Sequence, residues 1–460
     1  MGKSVKRLFL SKLVMIVFLL LIFLVPFLVK TKQNVDAGSL ISFIINGFLF
    51  AVGIYFASKK HSVSMELIYW MFMFFFMYFA PIIQNRSNLY PWNKSVTDLE
   101  VVYANLLVFL FNVIFVLGCF IGKKTKFVGF PDAKFSSWLC GGFEFKKASK
   151  IFLTIVMCAC AAYSLSKTGI LGIVVSRTQS VQVFYSGDNS AIELVVESVI
   201  PSFMAYIVAE SAYCVAMKKE KGVRFLIVFL CLLICFFPTA IPRYKVATIY
   251  GVIFIVLLPK ITKGTRFFWL FTFGLFLIFP LMSAFRNIIS FEHIQETISE
   301  DFFESYTDGN YDAWRMLVSA IEHNAKHGAT LGAQLLGVFL FFMPSSMWPS
   351  KPIGSGAMLI QSELGSNAFS NVSCPFIAEG YVNFGIMGIV IFALLLGVLI
   401  TKLDMKYWAN VKLYADNGMF APYLFFVFML FFVLRGDLLS SFAYVCGFLA
   451  TGILLKPFIK

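Results

Sequence analysis

The chain has 460 residues, of which 59% are hydrophobic and 13% charged, with 56 phenylalanines and a net charge of +14. Soluble domains carry roughly a quarter charged residues, so a water-soluble fold is excluded. Nucleic acid is not suggested as a partner either, because the positive charge is spread in small lysine clusters between apolar runs and forms no single basic face.

Apolar runs close to the roughly 20 residues that span a bilayer as helix recur along the chain, so the expected class is an all-α polytopic membrane protein. Twelve candidate spans follow in order: 13–29, 38–58, 65–83, 101–121, 151–166, 198–216, 225–240, 246–259, 267–282, 385–401, 419–434 and 439–455. No A-x-A-like cleavage site follows the first run, which is therefore expected to be a retained span. Only Ile241, Pro242, Arg243, Tyr244 and Lys245 separate the seventh and eighth spans. Proline suits the first turn of a helix, so a tight hairpin is expected there. The nine cysteines lie almost wholly in or beside spans, and only Cys374 lies in the long segment between the ninth and tenth, which argues against a disulfide framework. Pairs such as Cys158/Cys160 lack the partners a zinc site needs.

Basic residues held on the cytoplasmic side set topology. Lysines crowd the loops at 59–60, 123–150, 218–221, 260–263 and 402–412 and both termini. Both termini are therefore expected in the cytoplasm and the long segment between the ninth and tenth spans outside it. The expected organisation is an N-terminal bundle of about nine spans (1–282), a long extracytoplasmic helical loop (283–385), and about three C-terminal spans (386–460). That loop carries four basic against ten acidic side chains and three of the four histidines.

The nine arginines are distributed differently from the lysines. Arg7, Arg224 and Arg266 fall inside on this topology, whereas Arg86, Arg177, Arg243, Arg286, Arg315 and Arg435 fall outside. A guanidinium presents a planar fork of donors matched to phosphate oxygens and does not lose its proton. Arg243, Arg286 and Arg435 each sit at or just past the outer end of a span, at headgroup depth. Any one of them could snorkel or pair with an acid; together they point to an anionic ligand.

Within the loop, apolar residues at helical spacing predict two amphipathic helices between Ile289 and His327, broken at Thr307–Asn310. Asp312 and Arg315 are three apart, His323 and His327 four apart, and each pair is expected to share a face. No third metal ligand of the usual kind accompanies the two histidines; His323 is instead a candidate base. Leu331–Met343 is too short to span comfortably and runs into MPSSMWPSKP, which suggests a re-entrant or interfacial helix with Lys351 at headgroup level. The small, polar run GSGAMLIQSELGSNAFSNVS resembles a flexible crossing or lid. Glu379, just before re-entry to the bilayer, is costly unless paired or used. Glu210, inside the sixth span, reads as a packing feature.

Two runs carry a family likeness: P-S-x-x-W-P-x-K-P (Pro344, Ser345, Trp348, Pro349, Lys351, Pro352) and E-x-Y-x-N-F-G-x-x-G (Glu379, Tyr381, Asn383, Phe384, Gly385, Gly388). With the outer arginine of the hairpin and D-x-x-R-x-L at Asp312, they resemble the Wzy-type O-antigen (oligosaccharide repeat-unit) polymerases. The resemblance implies a GT-C-like, metal- and cofactor-independent glycosyltransferase of a bacterial inner membrane, with a periplasmic active site. Its donor would be a growing glycan on undecaprenyl pyrophosphate, and its acceptor the non-reducing end of another lipid-linked repeat unit. Membrane lipids and a chain-length regulator protein are further expected partners. On that reading Arg243, Arg286, Arg315 and Arg435, supported by Lys351, meet the pyrophosphate; Trp348, Tyr381 and Asn383 meet substrate; Glu379 is the first candidate base, with His323 and Asp312 behind it. An O-antigen ligase acting on lipid A–core and, from a different class, a polysaccharide flippase are the alternatives.

Overall fold

The computed structural model describes residues 2–28, 35–125, 138–169, 190–278, 304–365, 372–413 and 420–460. It is an all-helical membrane protein, with one isolated bridge (Phe145 to Ile459) and no strand among the described residues. In hydrocarbon a backbone must satisfy its own polar groups, and a helix does so within one segment. The principal helices are α1 (Gly2–Leu24), α2 (Ala37–Lys60), α3 (Met65–Ser87), α4 (Asp98–Lys124), α5 (Lys147–Thr168), α6 (Ser190–Ala216), α7 (Gly222–Cys235), α8 (Arg243–Leu257), α9 (Arg266–Phe273), α10 (Ala313–His327), α11 (Ala333–Phe339), α12 (Ser355–Leu364), α13 (Phe376–Leu413), α14 (Tyr423–Arg435) and α15 (Leu438–Leu455).

Among the described residues, eight helices are long and apolar enough to cross a membrane. They match eight of the twelve predicted spans. The other four fall on shorter helices: α7, α8, α14, and α9, which continues through a π-helical turn at Gly274–Ile278. The expected tight hairpin between α7 and α8 is looser than the hydropathy suggested. Helix α7 stops at Cys235, short of Pro238, and Pro242 caps α8.

Side-chain caps start several helices. Asp36 accepts the Ser39 N–H ahead of α2 (2.9 Å) and Ser64 that of Leu67 in α3 (3.1 Å), and Thr97 with Glu100 closes a capping box on α4; such caps satisfy donors the helix cannot. Helix α3 is the axis of the bundle: 94% of its most apolar stretch is buried, against 22% for α1. The tightest helix pair is α4 with α13. A Cβ on Gly118 would stand 2.5 Å from the Leu394 carbonyl oxygen, and one on Gly397 2.3 Å from that of Phe115. Gly118 and Gly122 form a small-x-x-x-small seam, the device that lets helix backbones meet in lipid.

The loops sort to two ends of the bundle. At one end, Lys460 and Lys219 reach Glu144, Lys146 donates to the Pro457 carbonyl, Lys402 to that of Thr125, and Asp404 accepts the Met65 and Glu66 N–H groups. This is the lysine-rich end. Glu210 lies beside it, fully buried, held by Lys150 (3.2 Å) and Arg224 (2.9 Å), in keeping with a packing role. At the other end, α10, α11 and α12 with the 304–312 segment form a cap. Gln84 at the tip of α3 donates to the Tyr306 and Tyr311 carbonyls (2.8 and 3.0 Å), and Trp314 of α10 donates to Asn105 of α4 (3.0 Å).

Two details of the cap differ from expectation. Residues 355–364 of the supposed lid are a seated helix, with Ser355, Gly356, Ala357, Leu359 and Ile360 buried; a Cβ on Gly356 would meet the Val372 carbonyl oxygen at 2.6 Å. The first of the two predicted amphipathic helices falls largely outside the described residues, while the second is α10. Helix α11 packs on α15 through Phe339 and Phe442 (5.5 Å) and leaves Leu336 and Phe339, with Phe342 just beyond its end, partly exposed.

Candidate functional site

Helix α13 has 38 residues, about 57 Å at 1.5 Å per residue, far longer than a roughly 30 Å hydrocarbon core. The backbone resolves this by breaking at Phe384 and Gly385, where Gly385 takes φ +60°, a region closed to most residues with a Cβ. The stretch 376–383 then folds back so closely that a Cβ on Gly388 would lie 1.8 Å from the Gly380 carbonyl oxygen. The E-x-Y-x-N-F-G-x-x-G run is therefore a helix break. Asn383, fully buried, locks it: its amide donates to the Glu379 carbonyl (2.9 Å) and its oxygen accepts the Leu335 N–H (3.0 Å). Tyr381 meets Tyr103 hydroxyl to hydroxyl at 3.3 Å.

That break aims Glu379 at the α14–α15 turn, Arg435-Gly436-Asp437-Leu438. Glu379 Oε1 accepts the Leu438 N–H (2.9 Å) and Oε2 accepts the Ser355 hydroxyl (2.8 Å). Asp437 caps α15 through the Leu439 N–H (2.9 Å) and accepts the Gly356 N–H (3.0 Å). Neighbouring residues, Ser355/Gly356 and Asp437/Leu438, thus bring the two carboxyls together in a buried setting. Among the described residues neither carboxyl has an ion pair. Burial, first, pushes the Asp437 carboxyl above its ordinary range. With Glu379 buried and Asp437 half-buried beside it, the two carboxyls cannot both ionise cheaply and titrate as a pair.

Two residues earlier, Arg435 reaches into the cap. Its Nη2 donates to Asp312 Oδ1 and to the Gly309 carbonyl, both at 3.2 Å, and its guanidinium lies 5.8 Å from the Phe76 ring. Asp312 also accepts the Ser373 hydroxyl (2.6 Å) and N–H (3.3 Å). Burial raises the Asp312 carboxyl even though Arg435 acts to lower it. Arg243 stands at the start of α8.

The other expected site residues lie elsewhere. Arg315 does not share a face with Asp312: it is buried on α10, donating to Ser319 (2.8 Å) and pairing with Glu363 (3.4 Å) and Glu322 (3.8 Å), which Lys94 also engages. The physical reason is that Asp312 is the residue before α10, not part of it. Lys351 is spent on the Phe341 and Met343 carbonyls (2.6 and 2.9 Å), and burial lowers its ammonium. Trp348 is half-buried in a turn closed onto the Pro344 carbonyl. His323 stands 4.9 Å from His327 and beside Ser362 (3.4 Å); burial, then His327, lowers its pKa. Arg286 falls outside the described residues. Asp437 was missed although its signal was present: an acid directly before the last apolar run is a helix-start pattern.

No protein-family model matches this chain, and no curated protein or solved structure matches it at a significant level.

Proposed function

We propose that the protein is a polysaccharide repeat-unit polymerase, and that the capped end of the bundle faces the periplasm of a bacterial inner membrane. One observation carries the reading: the turn at 435–438 sets the Arg435 guanidinium two residues from the Asp437 carboxylate, and its Leu438 N–H holds the buried Glu379 carboxyl beside them. In the reaction, the anomeric carbon–oxygen bond to undecaprenyl pyrophosphate breaks as a hydroxyl of the incoming lipid-linked unit attacks that carbon. Charge grows on the departing pyrophosphate, where fixed cations lower the barrier; Arg243 and Arg435 fill that role, Arg435 by exchanging Asp312 for phosphate oxygens. The proton of the attacking hydroxyl passes to the Glu379/Asp437 pair. Among the described residues, Arg315 and Lys351 support the scaffold in this scheme.

The test is the surface-glycan ladder of the source bacterium. Deletion of the gene should leave lipopolysaccharide capped by a single repeat unit, and the wild-type gene should restore the ladder. Arg435→Ala should fail to restore it while the protein still accumulates in the membrane, a loss of about 100- to 1,000-fold for one electrostatic partner. Bare core after deletion would instead identify a ligase, and a full ladder with Arg435→Ala would remove the phosphate role.

A further inference from the structure

Helix α11 and the chain just beyond it have the reverse of the polarity that water selects. Between Ala333 and Met343 the one polar side chain is Gln334. It is buried, and its amide donates to Met358 Sδ of α12 (2.9 Å). Gly337, Val338 and Phe341 are buried with it. The outward positions are Leu336, Phe339 and Phe342, all exposed, and Met347 and Ile353 extend the apolar surface. A surface helix in water turns its polar side outward, as α10 does with exposed Lys326 and His327 and buried Trp314, Leu317 and Val318.

Two contacts set the level of this segment. Gly332, ahead of α11, lies against Phe384, whose ring a Cβ there would meet at 3.0 Å. Phe384 marks the break in α13, and just past it begins the exposed apolar stripe Met387, Ile391 and Leu395. Beyond the other end, Phe339 and Phe341 meet Phe442 (5.5 and 6.3 Å), four residues into the spanning helix α15. Pro352 then returns the chain beside Gly337. At membrane depth, backbone outside a helix must be satisfied within the protein. Here the Phe341 and Met343 carbonyls, past the last turn of α11, accept the Lys351 ammonium.

We infer that residues 331–353 form an interfacial hairpin seated among the acyl chains of the leaflet at the capped end, with the outward face of α10 left in water. Lipid is the occupant because the apolar face is continuous with the exposed stripe of α13, which a bilayer already covers. Such seats lie about 5–10 Å into the boundary between headgroups and acyl chains, and a half-buried tryptophan such as Trp348 suits that level. The seat is independent of the reaction proposed above and supplies one thing to it. Gly354, next after Ile353, lies on Asp437, whose carboxylate a Cβ there would meet at 2.5 Å. The acid pair is thereby held at the membrane boundary, where a lipid-borne substrate presents its head.

The test uses the full-length protein, one copy per nanodisc of phosphatidylethanolamine and phosphatidylglycerol, exposed to hydroxyl radicals generated in the water. Leu336 and Leu364 are leucines of similar exposure in the protein itself, 51% and 57%, on two helices of the cap. Leu364 should be oxidised and Leu336 should stay at background; equal oxidation would overturn the seat. A phosphatidylcholine with a diazirine on its acyl chain should label the peptide carrying α11 on photolysis. Protection of Leu336 with no lipid adduct would mean that protein covers the face, and the seat would fall. Leu336→Glu should lift the hairpin and raise oxidation of Met347 severalfold, whereas Leu364→Glu should not; an unchanged footprint in Leu336→Glu would refute the seat. Where Leu336→Glu fails to accumulate, the wild-type footprint and lipid label decide. An oxidised Leu336 beside an intact glycan ladder removes the seat and leaves the polymerase reading standing, and a protected Leu336 with no ladder defect on deletion does the reverse.

Discussion

Asp437 offers a prediction whose size follows from its contacts. It caps α15 through the Leu439 N–H and satisfies the Gly356 N–H. Replacing it with alanine removes the cap, worth about 1 kcal/mol, and strands a buried donor, worth about 1–3 kcal/mol. Asp437→Ala should therefore destabilise by about 2–4 kcal/mol. Asparagine keeps one acceptor oxygen and caps as well as aspartate, and it removes the like-charge contact with Glu379. Its single oxygen can serve only one of the Leu439 and Gly356 N–H groups, so Asp437→Asn should still cost about 1–2 kcal/mol, less than alanine. The two also separate by pH. A carboxyl raised by burial binds its proton more tightly in the folded chain than in the unfolded one, so its stabilising contribution is full below its ordinary pKa of 3.8 and is lost as pH rises above that value. Asp312 is raised in the same direction, so the wild type should lose stability over this window and Asp437→Asn should lose less. Thermal melting of the purified protein in detergent, followed by tryptophan fluorescence at pH 4 to 8, measures both quantities. If asparagine proves as damaging as alanine, or if the pH slope is the same with and without Asp437, the buried-pair argument is wrong.

Other outcomes test other parts of the structure. Gly388→Ala forces a methyl into the Gly380 carbonyl, so the 376–383 limb must lift and limited proteolysis should cut the cap faster; unchanged cleavage would contradict the folded-back limb. Among the described residues, Arg315→Ala leaves Glu322 and Glu363 with Lys94 as their ion-pair partner, and breaking a buried pair costs about 3–5 kcal/mol; less protein should reach the membrane. Normal amounts of an inactive Arg315→Ala protein would return Arg315 to the substrate.

The spans were readable because an apolar run of bilayer length has few alternatives to a helix, and each of the twelve runs falls on a helix. What the runs did not reveal is that α7, α8 and α14 are short, since prolines beside their ends limit a helix without altering hydropathy. At the cap, spacing misled where it assumed one continuous helix. Asp312 and Arg315 share a face only if both lie inside α10, and Asp312 precedes it, so its carboxyl turns to Ser373 and Arg435 while Arg315 turns to Glu363. Pairings across more than a hundred residues, such as Asp312 with Arg435, leave no trace in periodicity. Asn383, Phe384 and Gly385 did leave one: an asparagine and a glycine flanking an aromatic inside an apolar run mark a place where helix is hard to continue.

Three consecutive polar features of the α14–α15 turn each engage a different part of the cap: Arg435 the 309–312 segment, Asp437 the start of α12, and the Leu438 N–H the broken α13. A turn needed only to reverse the chain would be expected to solvate these groups, because water satisfies them at less cost than burial does. Here the cost is met by interlocking them, and interlocked polar groups of this kind specify one arrangement more strongly than they stabilise it. Fixing the cap relative to the bundle also fixes the spacing between the guanidinium and the carboxyl pair. Chemistry on a bound phosphate ester depends on that spacing, whereas a passage that must open and close would gain nothing from it. On the proposed function, the interlocking of this turn is what would hold that spacing fixed at the capped end.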